Sequence, residues 1–81
     1  MTVADDIREA VALARNGAWD AAHAIVQHHE ADPLACWLHA VLHAIEGDRE
    51  NAGYWYAHAG RTPHAFESSE AELAAIAAEA G

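Results

Sequence analysis

The feature that most constrains this chain is a thirty-residue spacing between the residues that end and begin its helices. Gly17 and Gly47 lie thirty positions apart, and so do Pro33 and Pro63. Because glycine and proline punctuate secondary structure, this recurrence indicates a repeated supersecondary unit. The same offset matches further pairs, which are Ala10 and Ala40, Val11 and Val41, Ala14 and Ala44, Ala22 and Ala52, His28 and His58, and Ala35 and Ala65.

Composition and periodicity together predict an all-α fold. Alanine dominates and β-branched residues are sparse, which favours helix, and apolar residues recur at helical spacing. Thr2, Asp32 and Asp48 are predicted N-caps, and Gly17 and Gly47 are predicted left-handed turn residues. The predicted helices span residues 3–15, 18–30, 33–46 and 49–60, followed by a final helix.

Two interpretations of the final segment are open. A helix could run directly from Pro63 after a Thr62 cap, or a turn could precede a helix from Glu70 that Ser69 caps. The spacing Ser69-x-x-Glu72 is that of a capping box and favours the second. We therefore expect one helical-repeat domain over residues 1–81. It would consist of antiparallel hairpins at 2–31 and 32–61 and a capping helix within 62–81 that covers the open end of the array.

The hairpins resemble tetratricopeptide or Sel1-type repeats. The positions that carry the resemblance are Gly47, Ala52, Ala59, Pro63 and the Tyr54-Trp55-Tyr56 run, which is similar to the Sel1-type "WYxxA" run. The chain departs from these families in its period of thirty and in having two hairpins, whereas at least three repeats are usual. The resemblance implies a binding module for a protein or peptide partner, or for a second copy of the chain.

A second resemblance spans residues 19–56. The chain is similar to a group of small, uncharacterised, mostly bacterial helical proteins with the signature W-D-x-A-H, then H-A-x-x-H-x-x-E-G-D-x-x-N-A-x-Y-W-Y. The first part falls at residues 19–23 and the second at residues 39–56. This resemblance implies no particular activity.

A pair of histidines on the third helix is the main candidate for chemistry. His39 and His43 are four residues apart, so one helix face presents both imidazoles, as metal-binding helices do. Glu46 could ligate or orient, and His23 on the second helix could supply a third ligand. Zinc, iron, copper and nickel are the candidate ions. The alternative is that this face is simply polar, and that His23 only packs on Trp19.

A second candidate is a binding surface on the fourth helix. Tyr54 is expected to be exposed beside Asn51 and His58, while Trp55 and Tyr56 are expected to pack inside. Asn51 is also expected to bond across the hairpin. An enzyme is the less favoured interpretation, because the sequence shows no oxyanion-hole loop or phosphate-binding loop.

Charge and cysteine content narrow the classes of binding partner and the cellular compartment that we expect. Thirteen acidic residues against four arginines, with no lysine, give a formal net charge of −9, which disfavours binding to nucleic acid or to anionic membranes. The single Cys36 fits a reducing compartment. The first residues do not read as a signal peptide, and no apolar stretch could span a membrane. We expect a cytoplasmic protein, and a homodimer is one of the expected assemblies.

Overall fold

The computed structural model describes residues 2–81 and contains five α-helices, with no strand in that range. The helices are α1 (Val3–Arg15), α2 (Trp19–Val26), α3 (Pro33–Ile45), α4 (Arg49–Ala59) and α5 (Ser69–Ala80). A short 3₁₀ helix, Gln27–His29, extends α2. The all-α prediction is confirmed, while Met1, where the predicted domain begins, lies outside the described residues.

The predicted N-caps of α1, α3 and α4 are confirmed. Thr2 and Asp5 form a reciprocal capping box, in which each side chain accepts the backbone N–H of the other residue. Asp32 accepts two backbone N–H groups at the start of α3, with Pro33 in the first turn. Asp48 caps α4. The starts of these helices could be predicted correctly because each is specified by residues within one helical turn.

The boundaries of α2 and α4 differ from the prediction. The second helix was expected to continue to Glu30, but its α-helical part ends at Val26 and tightens into the 3₁₀ turn. The fourth helix ends at Ala59, and Gly60 adopts a left-handed conformation with φ of 69°. Such tightening and left-handed termination are common ways of satisfying the last carbonyl groups of a helix.

The start of α5 corrects both interpretations of the final segment. Thr62 caps no helix, and the chain from Arg61 to Glu67 is non-helical. Ser68, rather than Ser69, is the N-cap and accepts the backbone N–H of Ala71. The Ser69–Glu72 capping box does not form, because the Glu72 side chain turns into the core.

The third helix lies at the centre of the fold. It packs against α4 within its own hairpin and also against α1, α2 and α5. Its residues from Ala35 to His43 are therefore buried on every face, whereas Ile45 at the helix end is 45% exposed. The helix α5 packs against α1 and α3, whereas the prediction placed it over the open end of the array.

The two predicted hairpins bury equivalent residues. Val11 and Val41 are buried at matching positions, and Ala22 and Ala52 form a second buried pair. The turns Gly17 and Gly47 both have positive φ, as predicted. The two hairpins therefore bury small residues at equivalent positions. None of the helices within residues 2–81 has the length and apolar character needed to cross a membrane.

Candidate metal centre

Three histidines from two helices converge at one point. His23 comes from α2, while His39 and His43 come from successive turns of α3. One ligand nitrogen from each ring can be chosen such that all three lie within 4.8 Å of one another. The Nε2 atoms of His23 and His39 are 3.1 Å apart. The fold thus brings together all three histidines that the sequence suggested as ligands.

The spacing of these nitrogens matches what a metal ion needs. Two imidazole nitrogens bound at about 2.0–2.1 Å to a tetrahedral ion lie about 3.3 Å apart. The 3.1 Å between the Nε2 atoms of His23 and His39 is close to that value. In the metal-free protein the same contact is a hydrogen bond, in which one Nε2–H donates to the other Nε2. The proton between these two atoms is the one that a metal ion would replace.

Two tryptophans hold the histidine rings in place. Trp19 stacks on His23 with ring centroids 4.6 Å apart, and Trp55 stacks on His39 at 4.0 Å. Trp19 is itself anchored, because its indole N–H donates to the carbonyl oxygen of Leu42 at 2.6 Å. The expected packing of His23 on Trp19 is confirmed. It does not compete with a ligand role, since stacking uses the ring face and leaves the nitrogens free.

A carboxylate orients the third histidine. Nδ1 of His43 lies 2.6 Å from Oε2 of Glu46, one turn further along the chain. The carboxylate can only accept, so Nδ1 carries a proton, and in the neutral ring Nε2 is the nitrogen available to a metal ion. A carboxylate–histidine pair of this kind fixes the ring orientation and raises the basicity of metal-binding imidazoles.

Burial favours the neutral form of two of the clustered histidines. His39 is only 3% exposed, and burial, with help from nearby His23 and His43, lowers its pKa to about 4. Burial also lowers the pKa of His23, and His43 contributes to the shift. Both rings are therefore neutral at neutral pH, and each keeps one nitrogen lone pair. Metal affinity requires this state, because a proton competes for the same nitrogen.

His39 retains one nitrogen without a partner. Its Nδ1 is buried and forms no hydrogen bond within residues 2–81. An unsatisfied buried polar atom costs about 1–3 kcal/mol. A position that had only to fill space in the core would be served better by an aliphatic side chain. The imidazole is present here despite its unpartnered Nδ1, while its Nε2 contacts His23 and its ring face stacks on Trp55.

A second group of metal-ligand side chains shares His43 but is engaged in capping. Glu46 and Asp48 lie close to His43 near the turn between α3 and α4. Asp48 accepts the backbone N–H of Asn51, and the Asn51 side-chain amide donates to it at 2.6 Å. Asn51 was expected to bond across the hairpin; instead it closes this local cap.

The predicted surface on α4 is partly assembled. Tyr54 is 56% exposed, as expected. Its ring makes edge contacts with Trp55 at 5.0 Å and His58 at 4.4 Å. Tyr56 is buried and Trp55 is half-buried, which agrees with the predicted inner face. Asn51 is exposed, but its amide is directed to Asp48, so Tyr54 and His58 form the aromatic part of this surface.

Two further polar side chains are tied into the structure. The Nε2 atom of His29 lies 2.8 Å from the Asp6 carboxylate. The Cys36 thiol donates to the carbonyl oxygen of Glu30 at 3.1 Å. Burial raises the pKa of Cys36, and the carboxylates of Asp32 and Glu30 add to the rise. This thiol is therefore a poor nucleophile.

Sequence reasoning missed a buried carboxylate on α5. Glu72 accepts the indole N–H of Trp37 at 2.9 Å and the hydroxyl of Tyr56 at 2.8 Å. Its spacing from Ser69 suggested a capping role instead. The available signal was that Glu72 directly precedes the buried Leu73 and lies four residues before Ile76, which places it beside the apolar stripe of α5.

No family model, curated protein or solved structure matches this chain.

Proposed function

We propose that this protein binds one divalent transition-metal ion through the Nε2 atoms of His23, His39 and His43. The observation that carries the proposal is the convergence of three imidazoles from two helices, with ligand nitrogens within 4.8 Å of one another. Imidazole ligands suit zinc, copper, iron and nickel. Three histidines would leave a fourth position for water or another small ligand, as in many zinc sites.

The surrounding residues support a preorganised site. Glu46 directs the proton of His43 away from the metal-facing nitrogen, and Trp19 and Trp55 limit the rotation of the other two rings. Residues that orient metal ligands in this way are worth about 10–100-fold in metal affinity. The half-buried His23 lies on the outer side of the cluster, since His39 and His43 are buried. An ion would therefore enter past His23.

Metal binding would also stabilise the fold. His23 belongs to the first hairpin, and the other two ligands belong to the second. An ion held by all three would cross-link α2 and α3, whose contact is less extensive than that within either hairpin. A ligand that binds only the folded state raises the free energy of unfolding.

Isothermal titration of tag-free protein with Zn²⁺ tests the proposal. We expect one equivalent to bind, and the His39→Ala/His43→Ala double variant to lose that binding. The matched control is His58→Ala/His64→Ala, which also removes two histidines, both exposed and outside the cluster. Equal loss in the two double variants, or no saturable binding to the parent protein, would contradict the proposal.

The exposed aromatic residues on α4 favour a second candidate function. Tyr54 and His58 present a solvent-facing aromatic surface, and exposed aromatics are enriched at binding surfaces. We propose that this surface takes part in protein or peptide binding, including self-association. Sedimentation equilibrium of the parent and of Tyr54→Ser tests the self-association case. A dimer that the substitution weakens would support it, and a monomer in both would exclude it.

A further inference from the structure

The buried carboxylate of Glu72 forms no ion pair within residues 2–81. The side chain is 7% exposed, and its hydrogen-bond donors in that range are both neutral, the Trp37 indole and the Tyr56 hydroxyl. These two donors supply two protons, whereas a carboxylate offers about four acceptor sites. Within residues 2–81, the ion pairs formed by arginine are with Asp5, Glu70 and Glu79. A buried anion without a paired cation is costly.

A cavity opens onto this carboxylate. It has a volume of about 560 Å³, which is in the range of small-molecule sites, and it lies between α4, the start of α5 and the segment that joins them. Glu72 and Tyr56 both line it, and Ala52, Pro63 and Phe66 provide apolar wall. The cavity thus combines an apolar surface with one buried negative charge.

The other charged side chains that line the cavity do not reverse this polarity. Arg49 and Glu67 also line it, but both side chains are exposed and opposite in sign. Solvent screens charges at such positions much more than it screens a buried group. Glu72 therefore dominates the electrostatic preference of the interior.

We propose that this cavity binds a small organic ammonium ion, meaning a primary amine with a compact apolar body. The ammonium group would donate to the open acceptor sites of Glu72, which supplies the missing counter-charge. The apolar body would pack on Phe66 and Tyr56, whose ring faces also attract cations. None of the three clustered histidines lines this cavity, so the site is separate from the metal centre.

The test uses 2-phenylethylammonium as the probe and the uncharged 2-phenylethanol as its matched control. The readout is the indole N–H signal of Trp37 in two-dimensional NMR, because that proton is bonded to Glu72. We expect a saturable shift with the amine and binding at least tenfold weaker with the alcohol. Equal binding of the two probes, or no shift with the amine, would overturn the proposal, and in the second case Glu72 serves only the core.

Variants separate the charge from the cavity wall. Glu72→Gln should weaken amine binding at least tenfold, while Glu67→Gln, which removes an exposed charge from the same cavity, should change it less than threefold. Because a core substitution can disturb folding, a second check uses Phe66→Ala, at an exposed position. This variant should also weaken amine binding. Unchanged binding in both Glu72→Gln and Phe66→Ala would overturn the proposal. The His39→Ala/His43→Ala variant should bind the amine normally, so this proposal and the metal proposal fail independently.

Discussion

His39 is a polar residue at a core position, and its features bear on both stability and metal binding. It is nearly fully buried in the central helix, its Nδ1 has no partner within the described chain, and its pKa is lowered to about 4. The unpartnered Nδ1 costs stability in a metal-free protein. The burial and the lowered pKa suit a metal ligand at Nε2, because a buried neutral imidazole offers a lone pair with little competition from protons.

Replacing His39 by leucine separates these two effects. With chelator present, His39→Leu should unfold at a urea concentration equal to or higher than that of the parent. Removing an unsatisfied polar atom should raise the free energy of unfolding by up to about 1 kcal/mol. In Zn²⁺ the parent should gain stability and the variant should not. His58→Leu, at an exposed position, is the control and should keep the Zn²⁺ effect. A His39→Leu protein that is less stable than the parent in chelator would show that the imidazole serves the core.

A substitution of Glu46 tests whether the carboxylate that orients His43 contributes to metal affinity. Glu46→Gln should weaken Zn²⁺ binding about 10–100-fold, because the amide orients His43 less strongly and lowers its basicity. Glu50→Gln removes the same charge from an exposed site nearby and controls for general electrostatics. Competition titration against a chromophoric chelator measures both. Equal weakening in the two variants would mean that Glu46 acts only through long-range charge.

The spacing of His39 and His43 was readable from the sequence, but their burial was not. Their spacing placed both imidazoles on one helix face, and that face could have been solvated. They are buried because α3 is surrounded by four other helices, which is a tertiary fact that a local pattern does not contain. The contribution of His23 was only a suggestion for the same reason, since it depends on how two hairpins pack.

Among the elements, α5 shows where local signals stop being sufficient. The caps of α1, α3 and α4 could be predicted because side chain and backbone partners lie within one turn. At α5 two adjacent serines compete for the cap, and Glu72 could complete a capping box with Ser69 or enter the core. The buried bonds from Trp37 and Tyr56 decide in favour of the core, so Ser68 becomes the cap.

This competition can be tested with adjacent substitutions. Ser68→Ala should destabilise the protein by about 1 kcal/mol, the usual cost of losing an N-cap. Ser69→Ala should change stability by less than half of that, because its hydroxyl is not the capping group. Urea unfolding of both variants measures the difference. A larger loss at Ser69 than at Ser68 would place the start of α5 one residue later.

In the whole molecule, α3 is the central helix, and the other four helices pack against it. Its two polar clusters point to different places: the histidines meet α2, and Trp37 meets Glu72 on α5. The same helix thus forms part of a candidate metal centre and part of a buried carboxylate network. The thirty-residue period predicted the paired hairpins, but it held no information about α5, which has no counterpart earlier in the chain.

The buried network predicts how stability depends on alkaline pH. Burial raises the pKa of Tyr56 well above its usual value of 10.0, and the Glu72 carboxylate adds to the rise. Above pH 10, Tyr56 ionises in the unfolded chain but stays protonated in the folded one, so the folded state binds more protons and stability falls as pH rises. Tyr56→Phe should flatten this decline, whereas Tyr54→Phe, at an exposed tyrosine, should leave it. Urea unfolding of the parent and the two variants between pH 8 and pH 11 measures this decline. Equal dependence of stability on pH in all three proteins would contradict this assignment.

X-ray absorption at the zinc edge, on protein loaded with one equivalent of Zn²⁺, tests the central claim most directly. We predict a first shell that contains three imidazole nitrogens at about 2.0–2.1 Å, with one further light ligand. The His39→Ala/His43→Ala protein should lose these imidazole contributions, while His58→Ala/His64→Ala should retain them. A shell of oxygen ligands with one imidazole or none, or identical spectra for the two double variants, would contradict a metal centre built on His23, His39 and His43.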